Sequence, residues 1–251
     1  MTRIITLLMF SGLPALSMTT CVDIDHTTVV YSDGSGKFVL SVTILDAKTK
    51  SNPDEGLAGL LGMCEGFSAI SQPTIKKHGE LETTTWTIYF QDINKFRVND
   101  PEENRENLLS HTLTRKGAEA TLVLRNGMIT RMKKRAAEPL KQGEEDKASD
   151  DYYRFVLTLP GKIGKVEGWP APKDRSVEMR LEDSLRFNAR KGDAEARKRV
   201  DHLSDELKVT WTDADTAAKE LETFKTEHAK AVEEWKKVEP RVRKLLESKK
   251  R

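Results

Sequence analysis

Cys21 is the residue of this chain whose type and position alone suggest chemistry. Its thiol can carry a thioether-linked diacylglyceryl group, or it can pair with another cysteine. What precedes it favours the first. Thr2-Arg3 supplies a positive start, Ile4 to Phe10 is an apolar run, and Gly12-Leu13-Pro14-Ala15-Leu16 extends it. Ser17-Met18-Thr19-Thr20 then forms a small, polar exit. Charge, apolar core and small-residue exit in that order make a secretory signal peptide. The core is shorter than the ~20 apolar residues of a membrane-spanning helix. Lipidation of Cys21 prefers Leu, a small residue, then Gly or Ala before the thiol. Met18 is an apolar substitute for Leu, whereas the β-branch of Thr20 crowds the position. Cleavage after Ser17, with Ala15 and Ser17 meeting the small-x-small rule, is the alternative, and an uncleaved anchor is a third.

Other candidate groups are weaker. The second of the two cysteines, Cys64, lies in a short apolar stretch and reads as a buried small hydrophobe. If Cys21 stays unmodified in an oxidising compartment, a Cys21–Cys64 bridge is open to it. His26 sits near Asp23 and Asp25, but strand alternation sends both carboxylates to one face and the imidazole to the other, so no metal site is expected. His78, His111, His202 and His228 show no ligand spacing. No serine has the context of a nucleophile elbow, and the carboxylates are too many for one pair to stand out. Gly34-Ser35-Gly36 reads as a turn. A phosphate loop would need Ser or Thr after Lys37, where Phe38 stands.

The elements that must hold these residues follow from periodicity. Residues 22–45 predict a β-hairpin: Val22, Ile24 and His26 alternate with Asp23 and Asp25, and Phe38, Leu40, Val42 and Ile44 alternate with Val39, Ser41 and Thr43. Its turn is Ser32-Asp33-Gly34-Ser35-Gly36. A helix of one to three turns opens at Asn52-Pro53-Asp54-Glu55, with Leu57, Leu60, Leu61 and Cys64 on one face. Strands are predicted at 73–79, 83–91, 112–114, 120–125, 155–159, 177–181 and 207–211. Asn126-Gly127 is a type I′ hairpin candidate leading into Met128-Ile129-Thr130. Residues 132–151 are mostly charged and read as a solvated insertion. Pro160 to Ile163 reads as a turn, and Asp193 to Glu206 as a helix. Thr212 or Asp213 is expected to cap a last helix. Its stripe is Ala214, Ala217, Leu221, Phe224, His228, Ala231, Trp235, Val238, Val242 and Leu245, with Pro240 bending or ending it late. The stripe suits packing on the sheet, and it equally suits projection toward a partner.

The chain of 251 residues has 37% hydrophobic and 33% charged residues, enough for a core under a highly charged surface. Lys plus Arg is 42 against 40 Asp plus Glu, so no global field points to nucleic acid. The basic end from Arg241 could touch anionic headgroups.

The signal segment ending at Cys21, the Tyr31 to Lys37 turn, the Phe90 to Phe96 segment, and Leu159 to Ile163 followed by Gly168 and the 177–181 strand resemble a group of uncharacterised bacterial lipoproteins. That group is similar to the mycobacterial LppM-type lipoprotein domain. The resemblance spans about residues 21–185. It implies a curved antiparallel sheet with helices, of helix-grip kind, and binding of lipid or glycolipid. It offers no catalytic residues. The charged insertion, the long tail and Thr20 depart from the pattern.

These readings predict an α+β protein: signal peptide 1–20, β-rich domain 21–211 and C-terminal amphipathic helix with basic end 212–251. The expected role is a non-enzymatic exported cell-envelope lipoprotein, membrane-bound through lipid on Cys21, with no catalytic residue, cofactor or metal. Trp86, Tyr89, Leu221, Phe224 and Trp235 are the candidate face for packing or for an apolar ligand between sheet and helix. The alternative role is a protein-interaction or assembly factor acting through the C-terminal helix. The alternative location is free secreted or periplasmic.

Overall fold

The alternating run after Cys21 forms strand β1 (Val22–Val30), which turns back into β2 (Gly36–Leu45). The pair is antiparallel in the expected register, from Val22 opposite Ile44 to Val30 opposite Gly36. Gly34 has φ +85°, a value that suits glycine, and Asp33 Oδ1 accepts from the Ser35 amide at 2.9 Å. The protein is described from a computed structural model covering residues 22–45, 53–100, 107–138 and 152–249. The signal segment with Cys21, and residues 139–151 of the charged insertion, lie outside the described residues.

Pro53–Met63 forms α1, eleven residues with Asp54 and Glu55 in its first turn and Leu57, Leu60, Leu61 and Met63 buried. The chain then makes β3 (Cys64–Glu65), β4 (Phe67–Ile70), β5 (Thr74–His78) and β6 (Leu81–Phe90). β7 (Arg97–Asn99), β8 (Asn107–Lys116) and β9 (Glu119–Asn126) follow, then α2 (Gly127–Ala137). β10 (Tyr152–Thr158), β11 (Gly161–Glu167) and β12 (Ser176–Glu182) precede α3 (Asp183–Arg190) and α4 (Ala194–His202). β13 (Glu206–Asp213) leads to α5 (Ala217–Lys249).

This is the expected α+β architecture, with antiparallel strands, short helices and a long C-terminal helix. The strands divide over two open sheets. The first runs β12-β10-β1-β2-β6-β4, with β5 on the other half of β6, and the second runs β11-β13-β9-β8-β7-β3. β1 and β10 are parallel, whereas the other pairs are antiparallel. The chain passes between sheets at Leu159-Pro160. Gly161 is needed there, because a Cβ at that position would lie 1.8 Å from the Thr212 carbonyl oxygen.

Several expectations are corrected. Asn126-Gly127 is the start of a helix: Asn126 Oδ1 accepts from the Met128 amide at 3.1 Å, capping α2. Ile129, Met132 and Ala136 then fall at helical spacing, so residues 132–137 of the expected solvated insertion are helical. Pro160 to Ile163 is a corner rather than a stop, and β11 starts at Gly161. Neither Thr212 nor Asp213 caps α5. β13 continues through both, because Asp213 accepts from Trp211 Nε1 at 2.9 Å and pairs with Arg115 at 3.0 Å. α5 instead starts after Thr216, whose hydroxyl donates to Glu220 at 2.9 Å, so Ala214 falls outside it.

The core fills the space between the sheets. Phe38, Ile88, Phe90 and Phe155 from the first sheet meet Leu109, Leu122, Val209 and Trp211 from the second in one cluster. Phe96 bridges it, stacking on Phe90 at 5.0 Å and on His111 at 6.0 Å. α2, α3 and α4 make a smaller cluster through Ala136, Ala189, Ala196 and Val200. Arg131 of α2 forms an ion pair with the wholly buried Asp100 after β7.

Two histidines are buried in the main core. His26 Nδ1 lies 2.8 Å from the Tyr153 hydroxyl, and burial pushes its pKa down to about 3. His111 is pushed down to about 4, chiefly by burial, with the nearby Arg97 adding and the Phe96 carbonyl opposing. Both are neutral in the fold, whereas in the unfolded chain they take up protons near pH 6.5. Their contribution is therefore fully present above that pH. It is lost as pH falls through 6.5 toward 4, at up to ~1.4 kcal/mol per pH unit for each histidine. Urea unfolding at pH 7, 6 and 5 should show that steep fall, and His111→Asn should flatten it. A pH-independent midpoint across this window would show that the histidines are not buried neutral.

Candidate functional site

α5 brings the tail side chains onto β4 and β6 of the first sheet and onto α1. Phe224 stacks on Tyr31 at 4.3 Å between ring centres and lies nearly parallel to His228 one turn on, at 5.5 Å. Tyr89 of β6 stacks against the same pair, 6.3 Å from Phe224 and 5.9 Å from His228. Further along, Trp235 meets Phe67 edge-on at 6.2 Å, and Arg241 pairs with Asp54 at the start of α1.

Polar groups close this seam. Glu227 accepts from Lys37 Nζ at 2.8 Å and from the Tyr89 hydroxyl at 2.8 Å. Burial works to raise the Glu227 carboxyl, but the hydrogen bonds from Lys37 and Tyr89 outweigh it and hold it below the usual range. Burial first, then the Glu227 carboxylate, push the Tyr89 phenol up. His228 is lowered by burial.

Ser68 Oγ and His228 Nε2 are 2.7 Å apart, which invites comparison with a nucleophile and its base. The Ser68 hydroxyl also lies 3.0 Å from the Tyr89 carbonyl, a second acceptor within the sheet. The His228 ring is held between the Phe224 and Tyr89 rings, and its contact with Ser68 fixes α5 on the sheet.

The predicted face is thus only partly assembled. Tyr89 and Phe224 meet, Trp235 is buried on the same side, and Leu221 is half-buried against the core. Trp86 points to the other face of β6, where its ring lies under Gly56 of α1; a Cβ on Gly56 would be 2.8 Å from it. Positions 86 and 89 are three apart on a strand, so they cannot share a face. Lys37, Ser68 and Glu227 were not singled out from the sequence. Ser68 and His228 are 160 residues apart, and no local pattern links them.

Cys64 is buried in the core, with its thiol pushed up to about 12 by burial, as suits a small hydrophobe. It lines a cavity of about 20 Å³ with His26, Tyr153 and apolar side chains. That is room for one water, against roughly 300 Å³ or more for a small-molecule site. Among the described residues no group of three or more His, Cys, Asp or Glu side chains could hold a metal ion. No helix among them is long and apolar enough to cross a membrane.

No family model matches this chain, and no curated protein matches it. Among solved structures, the NMR structure of the folded domain of LppM from Mycobacterium tuberculosis is similar at 8% identity. The match covers 80% of this chain and 96% of that one, with a TM-score of 0.40. An aminopeptidase N family protein from Idiomarina loihiensis is similar at 9% identity, over 76% of this chain and 29% of that one, with a TM-score of 0.26. The likeness to the LppM domain is a distant structural resemblance.

Proposed function

We propose that this chain is a non-enzymatic, exported cell-envelope lipoprotein held at a membrane through lipid on Cys21. The observation that supports this most is the join between anchor and body. β1 begins at Val22, the residue after Cys21, and runs through the interior of the first sheet between β10 and β2. A lipid on Cys21 would therefore hold the folded body directly at the bilayer surface, with no spacer. The test is the mass of the mature N-terminus. We expect a diacylglyceryl-modified Cys21 as first residue. An unmodified chain beginning at Met18 would make the protein free and secreted.

An apolar ligand between sheet and helix would have to take the place of the Tyr31–Phe224–Tyr89 stack, because side chains already fill that seam. Native mass spectrometry of gently purified protein addresses this part of the reading. Lipid adducts would support a carrier, and a bare chain would leave an anchored module without cargo. The assembly-factor alternative has the charged outer face of α5 at its disposal, since Phe224, Ala231, Trp235 and Val242 are buried against the body.

A further inference from the structure

We propose that the sheet end nearest Cys21 is a membrane-facing surface, with the β5–β6 hairpin resting in the headgroup layer of the bilayer. The inference rests on the lipid-anchored reading above and adds an orientation to it.

The register places the pieces. Val22 lies opposite Ile44, and Ile44 opposite Glu82. One row further out, Leu45 lies opposite Leu81, and Leu81 opposite His78. The anchor and the hairpin tip, His78 to Leu81, are therefore at the same end of the sheet. Cys21 is one peptide step, ~3.8 Å, from Val22. β6 is two strands from β1, ~10 Å across the sheet.

The hairpin has the composition such a position asks for. Ile75, 42% exposed, and Leu81, 39% exposed, are the exposed large hydrophobics of the described residues. Single exposed apolar residues are ordinary. Here both fall on the one ribbon beside the anchor. All five residues of β5 are exposed, and among the described residues β5 pairs along one edge, with β6. Lys76 and His78 share a ribbon face with Leu81, while Lys77 pairs with Glu82 at 3.0 Å on the face of Ile75. Leu81 at the tip and Ile75 three rows further in, on the opposite face of the ribbon, with the stems of Lys76 and Lys77 between them, suit the boundary between acyl chains and headgroups, and Glu80 and Glu82 balance the two lysines in charge. The other corner of the same sheet end carries Glu182 and Asp183, paired with Arg180 and Arg186, where β12 passes into α3. The β1–β2 turn at Asp33 then stands ~30 Å from the bilayer, by the length of β1.

The test uses the full lipidated chain in vesicles of phosphatidylethanolamine and phosphatidylglycerol with brominated acyl chains. Leu81→Cys, Ile75→Cys and Asp33→Cys are each labelled with a fluorescent dye; Cys64 is buried and Cys21 carries the lipid. We expect bromine quenching several-fold stronger at 81 and 75 than at 33. Equal or reversed quenching on protein that still floats with the vesicles overturns the orientation and leaves the anchor standing. Protein that carries no lipid and does not float overturns both.

Discussion

Trp235→Ala is expected to destabilise the folded body by ~3–5 kcal/mol, the range for emptying a buried tryptophan site. Trp235 is 3% exposed, sits against Phe67 of β4, and lies midway along α5 between Ala231 and Val242, both buried. Removing the indole leaves a void between helix and sheet edge that Phe67 alone cannot refill. For a domain whose total stability is ~5–15 kcal/mol, that is a large share. Denaturant unfolding followed by far-ultraviolet circular dichroism measures it. The result separates the two roles open to the tail. If α5 projected toward a partner, the same substitution would leave the β-rich body almost as stable as before and weaken association instead. Truncation after Thr216 should, by the same argument, unfold the body rather than release an intact one, because β4 and α1 would lose their cover together.

Arg131→Met is expected to cost ~3–5 kcal/mol, because it leaves the wholly buried Asp100 carboxylate without its cation. Burial already lowers the Arg131 pKa, with the nearby Arg135 adding to it, so the cation itself is held there at some expense. That expense is why the paired replacement, Asp100→Leu with Arg131→Met, should recover most of the loss. Midpoints of thermal unfolding for the two single variants and the double variant read this directly. Independent, additive losses in the double variant would show that the two side chains are not coupled.

The seam residues have a fixed place relative to the β5–β6 tip. Tyr31, Lys37 and Tyr89 lie at the end of the first sheet opposite the β5–β6 tip, since Lys37 pairs with Val29 and Tyr89. In the proposed orientation the seam faces away from the bilayer. A ligand or partner reaching it would come from the aqueous side.

The sequence by itself determined what depends on near neighbours. Two-residue alternation marked β1, β2 and β6. Pro53 with two acids marked the start of α1, and Asp193 capped α4 with its carboxylate on the Ala196 amide. Threes and fours in the tail marked the buried stripe of α5. Those signals are local, because period and capping are decided within a turn or two of chain. The strands β3, β4 and β7 were not legible, being two to four residues long and too short to show a period. Only the tertiary structure decided which strands share a sheet, that β10 lies parallel to β1, and that α5 closes on β4 and α1. It also decided that Asn126 caps a helix instead of turning a hairpin, since the cap and the turn suit the same two residues and the next partner settles the matter. The face proposed from the sequence divided for the same reason: aromatic type was visible along the chain, but Trp86 and Tyr89 were sent to opposite sides by the pleat. Ser68, Lys37 and Glu227 joined the seam through contacts across the fold, where chain spacing carries no information.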